Sequence, residues 1–335
     1  MNEKKKEVLR LLRLQEGDYL SGQKLCDSLQ VSRTAIWKYI NQLKEEGYVI
    51  TSVPNKGYAL IETPDVLSEW EIMSRMQTRR LGKRVLYYAE TDSTNLRIKQ
   101  VAEEGAEEGT LAVAECQTMG RGRRGRSWSS NPGSGIWMSL LLRPECEALY
   151  ASSLTLVAGL AVTAAIRQVI DTEAKIKWPN DIVLNGKKIC GILTEMTSEV
   201  DYINYVVVGI GINVNISSFP EEIKDVATSL FLETGTVYSR SELVAAIMKQ
   251  MEGYYERFQK TKNLQDMIEE YDSFLVNKEQ QVAVMAGDIQ NQHVLYQGIA
   301  KGITKEGALI VQLEDGTLKE VVAGEVSVRG VYGYV

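Results

Sequence analysis

The chain has 335 residues and a net charge of -6, with 44% hydrophobic and 24% charged residues. This composition is typical of a soluble globular protein, and the length predicts two or three domains. The four cysteines lie far apart without a Cys-x-x-Cys pair, which argues against a disulfide framework and a thiolate metal site. The single histidine, His293, excludes a two-histidine metal site.

The apolar segments of the chain are short. The first seven residues carry both charges and lack the apolar core of a secretion signal. The longest near-apolar stretch, residues 154–166, is shorter than the roughly 18 residues that a membrane span requires. We therefore expect a cytoplasmic protein with no membrane role.

A charge difference separates residues 1–61 from the rest of the chain. They hold ten Lys and Arg against seven Asp and Glu, a net charge of +3, so residues 62–335 carry -9. Apolar residues recur at helical spacing in three short segments, and two strand-like runs flank the turn Pro54–Gly57. This pattern predicts a winged helix-turn-helix domain at residues 1–63.

The third predicted helix of this domain begins at a capping serine, Ser32, and has a polar face beside its apolar stripe. Helix-turn-helix motifs place such a face in the major groove of DNA. The alternative is a protein-interaction domain with an ordinary solvated face, but the positive charge and the basic wing favour DNA. The residues that we expect to contact DNA are Ser21, Gln23, Ser32, Arg33, Thr34, Trp37, Lys38, Asn41 and Lys56.

Helical and strand-like runs alternate through residues 64–274, which predicts a large α/β or α+β domain. Residues 275–335 contain short strand-like runs separated by Gly-containing turns, which predicts a small closed β-barrel of the SH3-like type. The predicted fold class of the whole chain is therefore α+β, with three domains.

Four arginines and three glycines alternate in the segment Gly120–Trp128, which we call the Gly-Arg loop. Glycines let the backbone approach a ligand, and guanidinium groups donate in pairs to phosphate oxygens. Trp128 can stack on a nucleobase. The alternatives are a disordered RNA-binding segment and a solvated charge run. Apolar strand-like runs at residues 111–114 and 136–142 favour a loop within a folded domain that closes over a phosphorylated ligand.

Three further clusters accompany this loop. In Lys177–Asp181, strand alternation places an ammonium near the core, where it can neutralise a carboxylate or an α-phosphate. In Gly209–Asn213, alternating glycines indicate a close approach by a ligand or by a neighbouring helix. Thr91–Asn95 is typical of a helix N-cap, which can also donate to a small polar group.

Together these clusters resemble the biotin protein ligase family, and the resemblance extends over nearly the whole chain. The matching segments are Asp92–Asn95, Gln117 with Gly120–Trp128, Lys177–Asp181, Gly191–Leu193 and Gly209–Asn213. The resemblance implies a central catalytic domain of the biotin/lipoate ligase type. The winged helix in front makes the chain similar to the bifunctional members, which act both as ligase and as repressor of biotin genes.

The resemblance implies a two-step reaction that uses ATP, biotin and Mg²⁺. The biotin carboxylate attacks the α-phosphate of ATP, which gives biotinyl-5'-adenylate and pyrophosphate. The ε-amine of a lysine on the biotin carboxyl carrier protein, a domain of biotin-dependent carboxylases, then takes the biotinyl group. An acyl adenylate hydrolyses readily, so the site requires a lid, and the Gly-Arg loop is the candidate.

The resemblance also implies roles for individual residues. Lys177, Arg123 and Arg121 are the implied catalytic residues, and Lys177 bridges the carboxylate and the α-phosphate. The residues implied in biotin binding are Ser93, Thr94, Asn95, Gln117, Gly120, Arg121, Gly122, Arg123, Lys177, Gly191, Gly209 and Gly211. Those implied in nucleotide binding are Arg123, Arg126, Trp128, Asn180 and Asn213. No residue is assigned to a metal.

A second function follows from the same ligand. An adenylate that orders a loop lowers the entropic cost of dimerisation, so we expect a homodimer of the adenylate-bound chain that binds a palindromic operator DNA. The carrier protein and a second copy then compete for the same strand edge. The alternatives are a non-catalytic biotin-responsive repressor and a lipoate-type ligase.

Overall fold

The computed structural model describes residues 3–15, 17–125, 128–198, 202–286, 291, 293–323, 327–330 and 334–335. The chain divides into two compact units, Met1–Ser74 and Arg75–Val335. Among the described residues, no helix has the length and apolar character needed to cross a membrane. The domain boundaries expected from the sequence, at residues 63/64 and 274/275, stay predictions.

The first unit contains the helix-turn-helix and the wing that the sequence predicts. Its elements are α1 (Glu3–Arg13), α2 (Gly22–Leu29), α3 (Arg33–Glu45), β1 (Val49–Val53), β2 (Gly57–Glu62) and α4 (Glu69–Arg75). The hydroxyl groups of Ser21 and Ser32 accept hydrogen bonds from the backbone N–H groups of Lys24 and Ala35, so both serines cap their helices as predicted. Strands β1 and β2 pair in antiparallel fashion.

The core of this unit is the apolar face shared by the three helices. Leu9, Leu12, Ile36, Ile40 and Leu43 are all almost fully buried. The helical spacing of these residues in the sequence explains why one face of each helix is buried and the other is solvated.

A buried carboxylate attaches helix α4 to the rest of the first unit. Glu71 is fully buried, and it accepts hydrogen bonds from Arg13 and from the Tyr48 hydroxyl. Burial, together with the charge of Glu71, raises the pKa of Tyr48 far above its usual value. These contacts attach α4 to α1 and to Tyr48, and the helix belongs to the first unit as far as Ser74.

The second unit is built on a seven-stranded sheet in the order β3-β4-β5-β9-β8-β7-β6. Only the pair β3 and β4 is parallel. The strands are β3 (Arg84–Tyr88), β4 (Thr110–Ala114), β5 (Gly135–Leu142), β6 (Lys175–Lys177), β7 (Asp181–Leu184), β8 (Lys187–Ser198) and β9 (Ile203–Asn213). The helices are α5 (Thr94–Glu103), α6 (Ala148–Ala151), α7 (Leu154–Ile170), α8 (Leu230–Thr234), α9 (Arg240–Thr261) and α10 (Ile268–Phe274).

Helix α5 packs against strands β4, β5 and β9, so its first turn lies at the centre of the sheet. Helices α7 and α9 pack against each other, and α7 also contacts β6, β7 and β8. Every residue of β4 and β5 is buried, and twelve of the 17 residues of α7 are buried. Apolar runs of this kind are typical of elements that are covered on all sides.

The C-terminal strands form a second, antiparallel sheet in the same unit, as the sequence predicts. Its strands are β10 (Gln281–Ala286), β11 (His293–Ile303), β12 (Leu309–Gln312), β13 (Leu318–Val321) and β14 (Ser327–Gly330). The order is β13-β12-β11-β10-β14, so β13 and β14 are the two ends of the pairings that the structure describes. Closure into a barrel stays a prediction, because residues 324–326 between these two strands lie outside the described residues.

Candidate functional site

A cavity in the second unit lies where the first turn of α5, the Gly-Arg loop and strands β8 and β9 meet. The described residues that line it are Ser93, Thr94, Asn95, Gln117, Arg121, Gly122, Arg123, Trp128, Met138, Asn180, Lys188, Gly191, Ile192, Leu193, Gly209, Ile210 and Gly211. The lining combines polar and charged side chains with apolar residues and glycines, which is typical of a small-molecule site.

One end of the cavity is a buried polar network. Thr94 donates to the Gln117 Oε1 atom from its backbone N–H, at 2.8 Å, and its hydroxyl lies 3.1 Å from the same oxygen. The Ser139 hydroxyl lies 2.7 Å from Thr94 Oγ1 and 2.5 Å from Asn95 Oδ1. Ser93, Thr94, Asn95 and Ser139 are each at most 5% exposed. These contacts fix the rotamers of the polar groups before any ligand arrives.

An ion pair closes this network. Asn95 Nδ2 donates to the Glu195 carboxylate at 2.6 Å, and the Lys99 ammonium lies 2.6 Å from the same carboxylate. Burial alone would raise the pKa of Glu195, but hydrogen bonds from Lys99 and Asn95 and the charges of Lys99 and Arg121 lower it on balance. Glu195 therefore stays ionised and orients the Asn95 amide.

The sequence predicted a helix N-cap at this point, and the structure refines that prediction. Ser93 occupies the N-cap position of α5, but its side chain makes no capping hydrogen bond. Ser93 is one of the residues that line the cavity. A ligand can therefore use this hydroxyl without destabilising the helix end.

A row of directly paired residues runs across five neighbouring strands of the sheet, β5, β9, β8, β7 and β6. Trp137 pairs with Gly211, Gly211 with Gly191, Gly191 with Asp181, and Asp181 with Lys177. Directly paired residues project to the same face of a sheet. The register therefore places two glycines and two charged residues side by side on one face.

The glycines of this row make room for Trp128. A Cβ atom on Gly191 would lie 2.7 Å from the Trp128 ring, and one on Gly211 would lie 2.9 Å from it. Trp128 also contacts Trp137 edge to face, with ring centroids 6.2 Å apart. The close approach predicted at Gly211 is made by a tryptophan of the same chain.

The Gly-Arg loop is closed at its base and attached to the Lys177–Asp181 segment. The Trp128 backbone N–H donates to the Gly120 carbonyl at 2.9 Å, and Arg123 donates to Asn180 Oδ1 at 2.8 Å. Arg121, Gly122 and Arg123 line the cavity. Arg126, predicted to bind the nucleotide, lies outside the described residues.

The charged end of the row contains Lys177 and Asp181, and the side chain of Lys188 reaches it from β8. Lys188 is 2.5 Å from the Asp181 carboxylate, and its ammonium lies 5.1 Å from the Trp128 ring. Burial would raise the pKa of the Asp181 carboxyl. The charge and hydrogen bond of Lys188, the Tyr334 hydroxyl and the charge of Lys177 together lower it. Asp181 is therefore ionised.

The cavity brings together most of the residues that the resemblance implies, and three lie beside it. Gly120, Lys177 and Asn213 are not among its described lining residues. Gly120 supplies the carbonyl at the base of the loop, and Asn213 donates to the Thr228 carbonyl at 3.0 Å. Lys177 is 6% exposed in the neighbouring strand. Their assigned roles stay predictions.

Sequence reasoning missed several residues of the site. Ser139 is a lone hydroxyl in the otherwise apolar strand β5, and that contrast could have indicated it. Lys188 and Glu195 lie on β8, where the sequence pointed only to Gly191–Leu193. Their proximity to the cavity depends on the register between strands, which the sequence does not show.

The predicted DNA-contacting residues lie in the first unit. Ser32, Arg33, Thr34, Trp37, Lys38 and Lys56 are exposed, and Ser21, Gln23 and Asn41 are exposed or partly so. Trp37 is 61% exposed, and Arg33 donates to Gln23 Oε1 at 2.9 Å. An exposed tryptophan beside basic residues gives this face aromatic and cationic groups that contribute little to the core.

Gly209→Ala tests the polar end of the cavity. A Cβ atom at Gly209 would lie 2.3 Å from Asn95 Oδ1, so the Asn95 amide must move away from Ser139 and Glu195. We expect the KM for a small-molecule ligand whose polar head group occupies this end to rise about tenfold or more, since buried polar groups lose partners. Gly253→Ala, in α9 where a Cβ atom meets nothing within 4 Å, is the control. Steady-state kinetics of both variants check this; an unchanged KM in Gly209→Ala would contradict it.

The folds and the cavity define an α/β ligase-type domain that follows a helix-turn-helix domain. A sequence model of the biotin/lipoate A/B protein ligase family matches residues 87–213, an HTH domain model matches residues 4–59, and a biotin protein ligase C-terminal domain model matches residues 280–329. The three models follow one another in the order of the observed elements.

Whole proteins and a solved structure agree with these matches. The bifunctional ligase/repressor BirA of Bacillus subtilis is 38% identical over 96% of this chain and 98% of its own. BirA of Escherichia coli is 31% identical over 94% of this chain and 95% of its own. The biotin protein ligase of Aquifex aeolicus, solved with biotin and ATP, superposes with a TM-score of 0.63 at 32% identity, over 74% of this chain and 99% of that chain.

The chain belongs to the BirA family of bifunctional ligase/repressors. The winged helix-turn-helix, the central ligase domain and the C-terminal sheet inferred from the sequence are confirmed.

Proposed function

We propose that this protein joins biotin to ATP in the cavity, transfers the biotinyl group to a carrier lysine, and represses biotin genes when it holds the adenylate. The observation that carries the proposal is the single cavity in which a buried polar network, a loop of arginines and Lys188 meet.

The polar network suits the cyclic urea of biotin. Urea offers one carbonyl acceptor and two N–H donors. The hydroxyl of Ser93 can donate or accept, and Asn95 and Gln117 can accept through their amide oxygens. The apolar lining residues Met138 and Ile210 suit the thiophane ring and the apolar chain of biotin. The valerate carboxylate then points towards the Gly-Arg loop and the charged end of the row.

Adenylation brings two anions together, and this is the barrier that the site must lower. The carboxylate oxygen attacks the α-phosphorus, and the bond to pyrophosphate breaks. Arg121, Arg123 and Lys177 are the cations that we assign to the carboxylate and the α-phosphate. Lys188, which the sequence did not predict, adds a fourth cation at the edge of the same cavity.

The nucleotide base and ribose are assigned to the end of the cavity beside Trp128 and Asn180. Trp128, Asn180 and Asn213 are the proposed contacts, together with Arg123 and Arg126. Trp128 offers an aromatic face, and its indole nitrogen is buried without a hydrogen-bond partner among the described residues. A ligand acceptor near that nitrogen would satisfy it.

Mg²⁺ is part of the proposal as a partner of ATP. The described residues include no group of three or more His, Cys, Asp or Glu side chains that could hold a metal ion. This donor set fits Mg²⁺ that is held by phosphate oxygens and water, as is usual for nucleotide-bound Mg²⁺. When bound, the ion offsets part of the phosphate charge.

The second step needs an open path for the carrier and a closed lid against water. The carrier's ε-amine attacks the adenylate carbonyl, loses a proton, and releases AMP. Closure of the Gly-Arg loop protects the adenylate until then. We propose that the carrier is the biotin carboxyl carrier domain of a biotin-dependent carboxylase.

We further propose that the adenylate-bound protein forms a homodimer whose two winged helices bind a palindromic operator. Two recognition helices related by a two-fold axis match two half-sites. Since the reaction consumes ATP and repression requires access to the chromosome, we place the protein in the cytoplasm.

Labelled biotin tests the ligase function directly. Incubation with Mg-ATP and a purified carrier domain should transfer label to the carrier and release pyrophosphate, and carrier with its acceptor lysine changed to Arg is the control. Binding of biotin without pyrophosphate release would favour the non-catalytic repressor. Transfer of lipoate in preference to biotin would favour a lipoate-type ligase.

A further inference from the structure

The end of the chain contacts the charged end of the site. The Lys177 ammonium lies 3.3 Å from the centroid of the Tyr334 ring, and the Tyr334 hydroxyl donates to Asp181 Oδ2 at 2.6 Å. One side chain therefore contacts both a proposed catalytic cation and the carboxylate opposite it. No motif in the sequence pointed to this tyrosine.

The strand register explains why such a contact matters. Lys177 and Asp181 are directly paired on β6 and β7, so their side chains project to the same face. Opposite charges in directly paired positions attract each other. A tight ion pair between them would compete with any substrate anion for the lysine.

Tyr334 and Lys188 together engage the Asp181 carboxylate. Lys188 lies 2.5 Å from Oδ1 and the Tyr334 hydroxyl lies 2.6 Å from Oδ2, so each carboxylate oxygen has a partner other than Lys177. Lys177 in turn faces an aromatic ring. An aromatic face attracts an ammonium more weakly than a carboxylate does, and it leaves the positive charge in place.

We propose that Tyr334 is a positioning residue for adenylation: its hydroxyl holds Asp181 towards Lys188, and its ring holds the Lys177 ammonium ready for the substrate anions. The proposal rests on the role that we propose for Lys177. It assigns Tyr334 a role in the first step and none in the second, because only the first step joins two anions.

Two substitutions separate the ring from the hydroxyl. Tyr334→Leu removes both contacts, and we expect single-turnover adenylate formation by the full-length protein to slow about tenfold. Tyr334→Phe keeps the ring, and we expect a loss of about threefold. Transfer from supplied biotinyl-5'-AMP to the carrier should stay within about twofold of wild type in both variants, a result that a general structural defect would not give.

Tyr296→Leu is the matched control. Tyr296 lies on β11 of the C-terminal sheet, its ring is 4.6 Å from the Lys319 ammonium, and it is not among the described residues that line the cavity. We expect both steps to proceed at wild-type rates in this variant.

A double-mutant cycle with Asp181→Asn tests the competition itself. Asn at position 181 carries no charge and cannot compete with the substrate anions for Lys177. Tyr334→Leu should therefore slow adenylation by less than about threefold in that background. An equal fold-loss in both backgrounds would overturn the proposal. A wild-type or faster adenylation rate in Tyr334→Leu would also overturn it and would indicate that the ring blocks the lysine.

The two proposals fail in different ways. If Lys177→Ala slows adenylation and Tyr334→Leu and Tyr334→Phe do not, the inference about Tyr334 is wrong and the role of Lys177 stands. If Lys177→Ala leaves adenylation unchanged, the role of Lys177 is wrong, whatever the tyrosine variants do.

Discussion

Lys177→Ala should slow adenylate formation by a factor of about 100 to 1,000, because removal of one preorganised donor to a developing charge has an effect of that size. The lysine is almost fully buried, so its charge acts in a medium less polar than water. The measurement is pyrophosphate release in a single turnover with saturating biotin and Mg-ATP.

The control for this variant lies on the same strand. Lys175 is exposed and two residues away in β6, so Lys175→Ala removes an ammonium without touching the site. Transfer from supplied biotinyl-5'-AMP provides the second control, since the proposed role concerns only the first step. Adenylation within a few-fold of wild type in Lys177→Ala would show that the assigned role is wrong.

The sequence predicted the elements of the site better than their contacts. Strand β5 was predicted at residues 136–142 and is observed at Gly135–Leu142, because a Gly-containing turn precedes the apolar run and Arg143-Pro144 follows it. The recognition helix was predicted because capping and apolar spacing agree in α3. Both features are local, so they can be recognised within a few residues.

The remaining contacts depend on the register between strands and on long-range packing. Asp181 and Gly191 are paired neighbours, but ten positions of chain separate them. Tyr334 lies more than 150 positions after Lys177, which it contacts. Sequence periodicity tells which face a residue occupies and does not tell which distant residue lies over it.

Gly209 and Gly211 show most clearly what a sequence pattern leaves undetermined about a contact. Alternation at Gly209 and Gly211 predicted a close approach, and a close approach is observed at both. The partners are Asn95 and Trp128, each from a different segment. The pattern therefore indicated a need for space and left the partner open, since a ligand would have required the same glycines.

The cavity and the face that we propose to bind DNA lie in different units, so substitutions should separate the two proposed activities. Replacing Arg33, Trp37 and Lys38 together by Ala should weaken operator binding by at least about 100-fold, since each base or phosphate contact contributes about 1–3 kcal/mol. All three side chains are exposed on α3, so the core of the first unit should stay intact.

The measurement is binding to a palindromic fragment selected from a random library by the wild-type protein with biotin and Mg-ATP. Loss of two cations should also reduce the slope of log affinity against log salt by about 1.8 per subunit. Lys44→Ala, an exposed residue nearer the end of α3, should bind like wild type. Carrier biotinylation should stay within about twofold of wild type in every variant, because the three residues lie outside the ligase unit. Operator binding as tight as that of wild type would show that another surface reads the DNA, whereas loss of biotinylation together with DNA binding would show that α3 also serves the ligase.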